Sequence, residues 1–183
     1  MIKTYNMKQE YTYWLALANA ENIYTRRKNE ILAKIHEDNS SLAHFFTEEN
    51  NWKNRFDLSQ DEIQSLLQEK EKLNNYSFIV EDLLEQGYQI IPIFSSDYPK
   101  TLKRNLKFSS PILLYAYGNI ELLNKESVAI VGSRNANDTS INFTDNIASL
   151  SVSDGFVVVS GYAKGVDRQA LDSAIRNGGS SII

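Results

Sequence analysis

The chain has 183 residues, 42% of them hydrophobic and 23% charged, the proportions of an ordinary globular protein. It has no cysteine, which excludes a disulfide framework and a thiolate zinc site, and no apolar run near the roughly 18 residues that span a bilayer. The net charge of −4 is unevenly spread: residues 1–95 carry 10 basic and 15 acidic side chains (−5), residues 96–183 carry 9 and 8 (+1). An anion site in the second half must therefore come from local arrangement and not from a basic sheath. The opening Met1-Ile2-Lys3-Thr4-Tyr5-Asn6 lacks the apolar core of a secretory signal, so the reading by elimination is a cytoplasmic protein.

The first half reads as helical. Tyr11 to Ala20 is rich in Ala and Leu, and Ile31, Leu32 and Ile35 fall in helical spacing between Ile23 and His36. Asp38-Asn39-Ser40 breaks the pattern, with Ser40 or Ser41 placed to cap a short helix through Phe46. Ser59-Gln60-Asp61-Glu62 fits a capping box ahead of Ile63, Leu66 and Leu67. A last helix from Ser77 to Glu85 stops at Gly87. Trp14 is expected in the core. His36 and His44 read as structural or surface residues, because no carboxylate pattern beside them suits a metal. Together these segments predict a small all-helical domain over residues 1–87.

At residue 88 the period changes. Tyr88 to Phe94 and Pro111 to Gly118 read as strands, the first at a sheet edge because of Pro92. From there the order becomes strand (Ser127 to Val131), helix (Asp138 to Leu150), strand (Phe156 to Val159), helix (Arg168 to Arg176) and a third strand from Ser180. That alternation implies parallel strands with helical crossovers. The expected fold is therefore α/β, an incomplete Rossmann-like parallel sheet over residues 88–183, preceded by the helical domain. Half of a doubly wound sheet normally needs the other half, so the chain reads as a fragment, and its unpaired terminal strand predicts poor solubility.

Two loops carry the chemistry. Gly132-Ser133-Arg134 follows one buried strand; Ser160-Gly161-Tyr162-Ala163-Lys164-Gly165-Val166-Asp167 follows the next. Loops after successive parallel strands emerge on one edge of the sheet, so the two are expected to flank one crevice. Glycine admits a ligand close to the backbone, the helices that follow offer free N–H groups, and Arg134 offers a bidentate phosphate contact. The competing reading of the first loop is a tight turn with an exposed arginine. Neither loop is a P-loop or a G-x-G-x-x-G fingerprint. Asp167 is expected to cap the second helix, and Lys164 either meets a phosphate or is a solvated loop lysine. Tyr162 either stacks on a base or packs on the neighbouring helix.

Tyr98-Pro99, Pro111-Ile112-Leu113-Leu114-Tyr115 and Gly118-Asn119, then Ala129-Ile130-Val131-Gly132-Ser133-Arg134 and Ser160 to Asp167, resemble the DprA/Smf family of DNA-processing proteins. The resemblance spans roughly residues 97–179. The helical half is similar in placement to that family's SAM-like domain. The resemblance implies an ATP-independent single-stranded DNA binder, not an enzyme and with no cofactor or metal. It is expected to assist loading of a RecA-type recombinase in DNA uptake and recombination, with a homodimer possible through segments absent from this chain. Position by position it implies that Gly132, Ser133, Arg134, Ser160, Gly161, Lys164 and Gly165 line the phosphate site. The chain departs from the family's pattern at Asn137, Thr139, Ser140 and Leu171.

Lys100, Lys103, Arg104 and Lys107 fall at i, i+3, i+4 and i+7. If Tyr98 to Leu106 is helical they share one face, either a DNA track or a solvated surface. The alternative to a DNA-binding protein is a Rossmann-like sensor or hydrolase of small nucleotides, for which Asp167 is the one acidic residue placed to act.

Overall fold

A computed structural model describes residues 2–183 and divides the chain into two compact units, Met1–Gly118 and Asn119–Ile183. The first unit holds helices α1 (Ile2–Asn19), α2 (Thr25–Glu37), α3 (Leu42–Thr47), α4 (Asn50–Phe56), α5 (Gln60–Glu71), α6 (Leu73–Glu85) and α7 (Lys100–Leu106), with strands β1 (Tyr88–Pro92) and β2 (Leu113–Tyr117). Ser41 is the serine that caps α3, accepting from the His44 N–H, and Ser59 with Glu62 forms the expected capping box of α5. α4 had no strong signal, being one of the shortest helices, yet it anchors the core. Trp52 is fully buried, stacked on Phe45 at 5.3 Å between ring centroids, and its indole N–H donates to the Phe45 carbonyl at 2.8 Å. Trp14 is buried as expected, edge-on to Phe94 at 6.3 Å, and His36 stacks on the same ring at 4.9 Å.

β1 and β2 pair antiparallel, Tyr88 opposite Tyr117 and Pro92 opposite Leu113, as a separate two-stranded sheet packed against α1 and α6. The packing boundary therefore falls after Gly118, and not at the change of period at 87/88. The reason is physical: β1 follows α6 after only Gln86 and Gly87, and its buried Ile90 and Ile91 belong to the helical core.

The second unit is β3 (Ser127–Ala129), α8 (Asp138–Ser153), β4 (Val157–Val159), α9 (Val166–Arg176) and β5 (Ser181–Ile182). The three strands are parallel in the order β3-β4-β5, with Ser127 opposite Val157 and Val159 opposite Ile182. This is the expected Rossmann-like βαβαβ unit. Asn137 caps α8, accepting from the Ser140 N–H at 2.9 Å. α8 and α9 pack against each other and against the sheet, around a core of Val158, Ala170, Leu171 and Ala174 joined by Val128, Ile130 and Val152. Asp145 of α8 clamps α9 by accepting from Gln169 at 2.8 Å and Arg176 at 2.5 Å. β3 is shorter than the apolar run predicts and is only partly buried. Strand pairing beyond it continues through the Ile130 N–H, which donates to Val159 at 3.0 Å.

Candidate nucleic-acid interface

Parallel pairing sends β3 and β4 into their loops at the same end of the sheet, and the loops meet backbone to backbone. The Val166 N–H donates to the Ser133 carbonyl at 3.1 Å. A Cβ on Gly165, where φ is +92°, would stand 2.2 Å from the Ser133 carbonyl oxygen and 2.8 Å from that of Arg134. A Cβ on Gly132 would press on the Val166 side chain at 2.9 Å. Close approach thus demands glycine at both positions. Lys164 and Arg134 in consequence grow from abutting stretches of chain.

The sequence places an outside anion between Gly132 and Gly161. In the structure a carboxylate of the protein stands there. The Gly132 N–H donates to Asp167 Oδ1 at 3.0 Å, and a Cβ on Gly161 would meet Oδ2 at 3.2 Å. Asp167 is therefore not the helix cap that local spacing suggests. Gly165 holds the capping position of α9, and Asp167, in the first turn, reaches across to the other loop. A carboxylate there also suits the positive end of α9. The contact joins residues 35 positions apart, so nothing in local sequence announces it.

Ser160 is likewise spent on the scaffold. Its buried hydroxyl donates to the Ile130 carbonyl at 2.6 Å and its N–H to Ile182 at 3.1 Å, pinning the end of β4 to both neighbours. Ser133 is exposed; its Oγ accepts from the Asn135 N–H at 3.1 Å, which leaves its hydroxyl proton to donate. Arg134 and Lys164 are exposed, and neither pairs with a carboxylate among the described residues. By contrast Arg168 pairs with Asp172 at 3.4 Å and Arg176 with Asp145 at 2.5 Å. The second unit holds 5 basic and 7 acidic side chains, a balance of −2. Arg134 and Lys164, on the paired loops, therefore stand out against an acidic background.

The four basic residues of 100–107 lie in the other unit and do not make one helical face. α7 ends at Leu106, and Lys107 leaves it with φ +50°. Lys103 turns onto its own unit: its Nζ donates to the Ile93 carbonyl at 2.9 Å and lies 5.2 Å from the centre of the Phe94 ring. Lys100, Arg104 and Lys107 are exposed. Among the described residues, no His, Asp and Glu side chains cluster so as to hold a metal ion, and no helix is long and apolar enough to cross a membrane.

The sequence model of the family described as DNA recombination-mediator protein A matches residues 89–183, more than half of the chain. The chain belongs to that family of DNA-processing proteins. It is similar to protein Smf of Synechocystis sp., 29% identical over 184 residues, which is 94% of this chain and 43% of Smf. It is similar also to DNA processing protein DprA of Streptococcus pneumoniae (33% over 113 residues, 60% of this chain and 39% of the relative). DprA of Bacillus subtilis is 34% identical over 99 residues, 54% of this chain and 33% of the relative. The chain thus spans less than half the length of these relatives. The X-ray structure of DprA from S. pneumoniae matches with a TM-score of 0.71 at 20% identity, covering 93% of this chain and 56% of that one. That likeness shows the fold, a Rossmann-like α/β unit with a helical N-terminal part. The family match begins within β1, ahead of the packing boundary at Gly118.

Proposed function

We propose that this chain binds single-stranded DNA by its phosphates at the paired loops, without reading sequence. In this reading it assists the loading of a RecA-type recombinase during DNA uptake and recombination, as a cytoplasmic binding protein and not an enzyme. The observation that carries the reading is the packing of Gly165 against Ser133 and Arg134. It roots two uncompensated cations and a hydroxyl donor side by side where successive parallel strands end. A guanidinium gives a phosphate a two-pronged contact, an ammonium adds a movable charge, and Ser133 adds a neutral donor. Gly132, Gly161, Gly165 and Ser160 shape this crest, and Asp167 fixes it. In the same reading the DNA-binding loops belong to the Rossmann-like unit, Asn119–Ile183, and the helical residues 1–87 are an accessory SAM-like part. The exposed Lys100, Arg104 and Lys107 of the 100–107 cluster belong, in this reading, to a wider DNA track.

A second reading, a sensor or hydrolase of small nucleotides, draws on the carboxylate of Asp167 lying between the two glycine turns. Against it, the Gly132 N–H already engages that carboxylate, which suits a structural brace better than a general base. Titration with a labelled oligo-dT and with AMP, each at a low and a high salt concentration, separates the two. Salt-sensitive oligo-dT binding that is indifferent to base composition supports the first. Tight AMP binding with no affinity for DNA supports the second.

A further inference from the structure

We infer that Tyr162 is a stacking platform for the base of the nucleotide whose phosphate Arg134 and Lys164 hold, an inference that rests on the single-strand reading above. Tyr162 lies two residues from Lys164, on the same loop. Its backbone is left-handed, φ +55°, and the residue is 46% exposed. A bulky aromatic residue adopts that conformation only against a steric cost, and strain of this kind persists where surrounding structure enforces it. Here Gly161 against Asp167 and Gly165 against Ser133 fix both ends of the loop.

The ring is not a core residue. The apolar core of this unit consists of Val158, Ala170, Leu171 and Ala174, with Val128, Ile130 and Val152 around them, and does not include Tyr162. What meets Tyr162 is the Arg168 guanidinium, 5.6 Å from the ring centre and itself held by Asp172 at 3.4 Å. A cation seated on an aromatic face steadies the ring, and no other aromatic ring packs on it among the described residues. Beside a phosphate site, an exposed and steadied aromatic face fits a flat, polarisable partner, and every nucleobase is one. The platform therefore discriminates between a strand with bases and a strand without them, and not between one sequence and another.

The test uses the whole chain with an oligo-dT and an abasic strand of equal length, which carry the same phosphates. The wild type is expected to bind oligo-dT about tenfold more tightly than the abasic strand, the scale of one stacked base. Tyr162→Asn, whose new side chain tolerates a left-handed backbone, should bring that ratio to about one. Tyr162→Phe keeps the ring and should keep the ratio. Circular dichroism melts confirm that each variant is folded. A tenfold ratio that survives in folded Tyr162→Asn overturns the inference. A wild type that binds both strands equally also overturns it while leaving the phosphate reading intact. A wild type that binds neither strand overturns that reading, and the inference with it.

Discussion

Replacing Asp167 perturbs the brace between the two loops and leaves the basic side chains in place. Asp167→Ala removes the acceptor of the Gly132 N–H, a bond of 3.0 Å to a half-buried carboxylate. A hydrogen bond to a charged group contributes about 1.5–3 kcal/mol, but Gly132 is exposed, so water replaces part of it. With the smaller loss of a carboxylate from the first turn of α9, the cost comes to about 1.5 kcal/mol. For a unit of about 65 residues that lowers the melting temperature by roughly 6–12 °C. Asp167→Asn keeps an acceptor and should lose about half as much. Both substitutions remove a negative charge beside the proposed phosphate site. In water two unit charges even about 4 Å apart repel by only about 1 kcal/mol, so affinity should rise by a few-fold at most. Calorimetric melts and fluorescence anisotropy with oligo-dT measure the two effects, with the variants expected to be less stable yet to bind more tightly. A wild-type melt for Asp167→Ala would refute the reasoning, since the carboxylate would then not be joining the loops.

Gly165→Ala should be more damaging. Its Cβ would stand 2.2 Å from the Ser133 carbonyl at a φ of +92°, a cost of about 3 kcal/mol or more. The cooperative transition of the second unit should shift or vanish in a calorimetric scan, and a melt within a degree or so of wild type would contradict the close approach. In the first unit Tyr76 donates to buried Glu69. Burial, and then that carboxylate, raise the Tyr76 pKa above the usual tyrosine range. The native state thus holds this proton longer than the unfolded chain does, and stability should fall as pH rises above about 10. Tyr76→Phe should cost about 1–2 kcal/mol at neutral pH and soften the alkaline loss in urea melts, whereas an unaltered alkaline slope would discount the pair. Lys103→Glu should destabilise the first unit by about 1–2 kcal/mol, losing the Ile93 hydrogen bond and the Phe94 contact, while Arg104→Glu stays within about 0.5 kcal/mol. Equal melts would discount the inward turn of Lys103.

Local sequence sufficed where the signal was periodic. The alternation of Val128, Val158 and Ile182 with two helical stretches announced the parallel unit, and Ser59 with Glu62 announced the start of α5. It failed where the deciding contact was distant. Asp167 looks like a cap until Gly132 is placed beside it, and Ser160 looks like a phosphate ligand until the Ile130 carbonyl is placed to accept its hydroxyl hydrogen bond. Lys103 shares helical spacing with Arg104, but the neighbouring Phe94 and the free Ile93 carbonyl draw it in. The division after Gly118 is not legible in the sequence, because β1 and β2 have strand composition yet pair with each other on the helical unit. The pairing of the two glycine loops was legible, since parallel strands leave their loops at one end. Which of the loop groups stay available to a ligand was not.

The salt dependence of oligo-dT binding, compared between the wild type and an Arg134→Ala/Lys164→Ala double variant, tests the phosphate grip most directly. Each phosphate contact to a single strand contributes about 0.7 to the slope of log affinity against log salt. The double variant should therefore bind more weakly, with a slope shallower by about 1.4. A double variant with the wild-type affinity and slope would contradict the account.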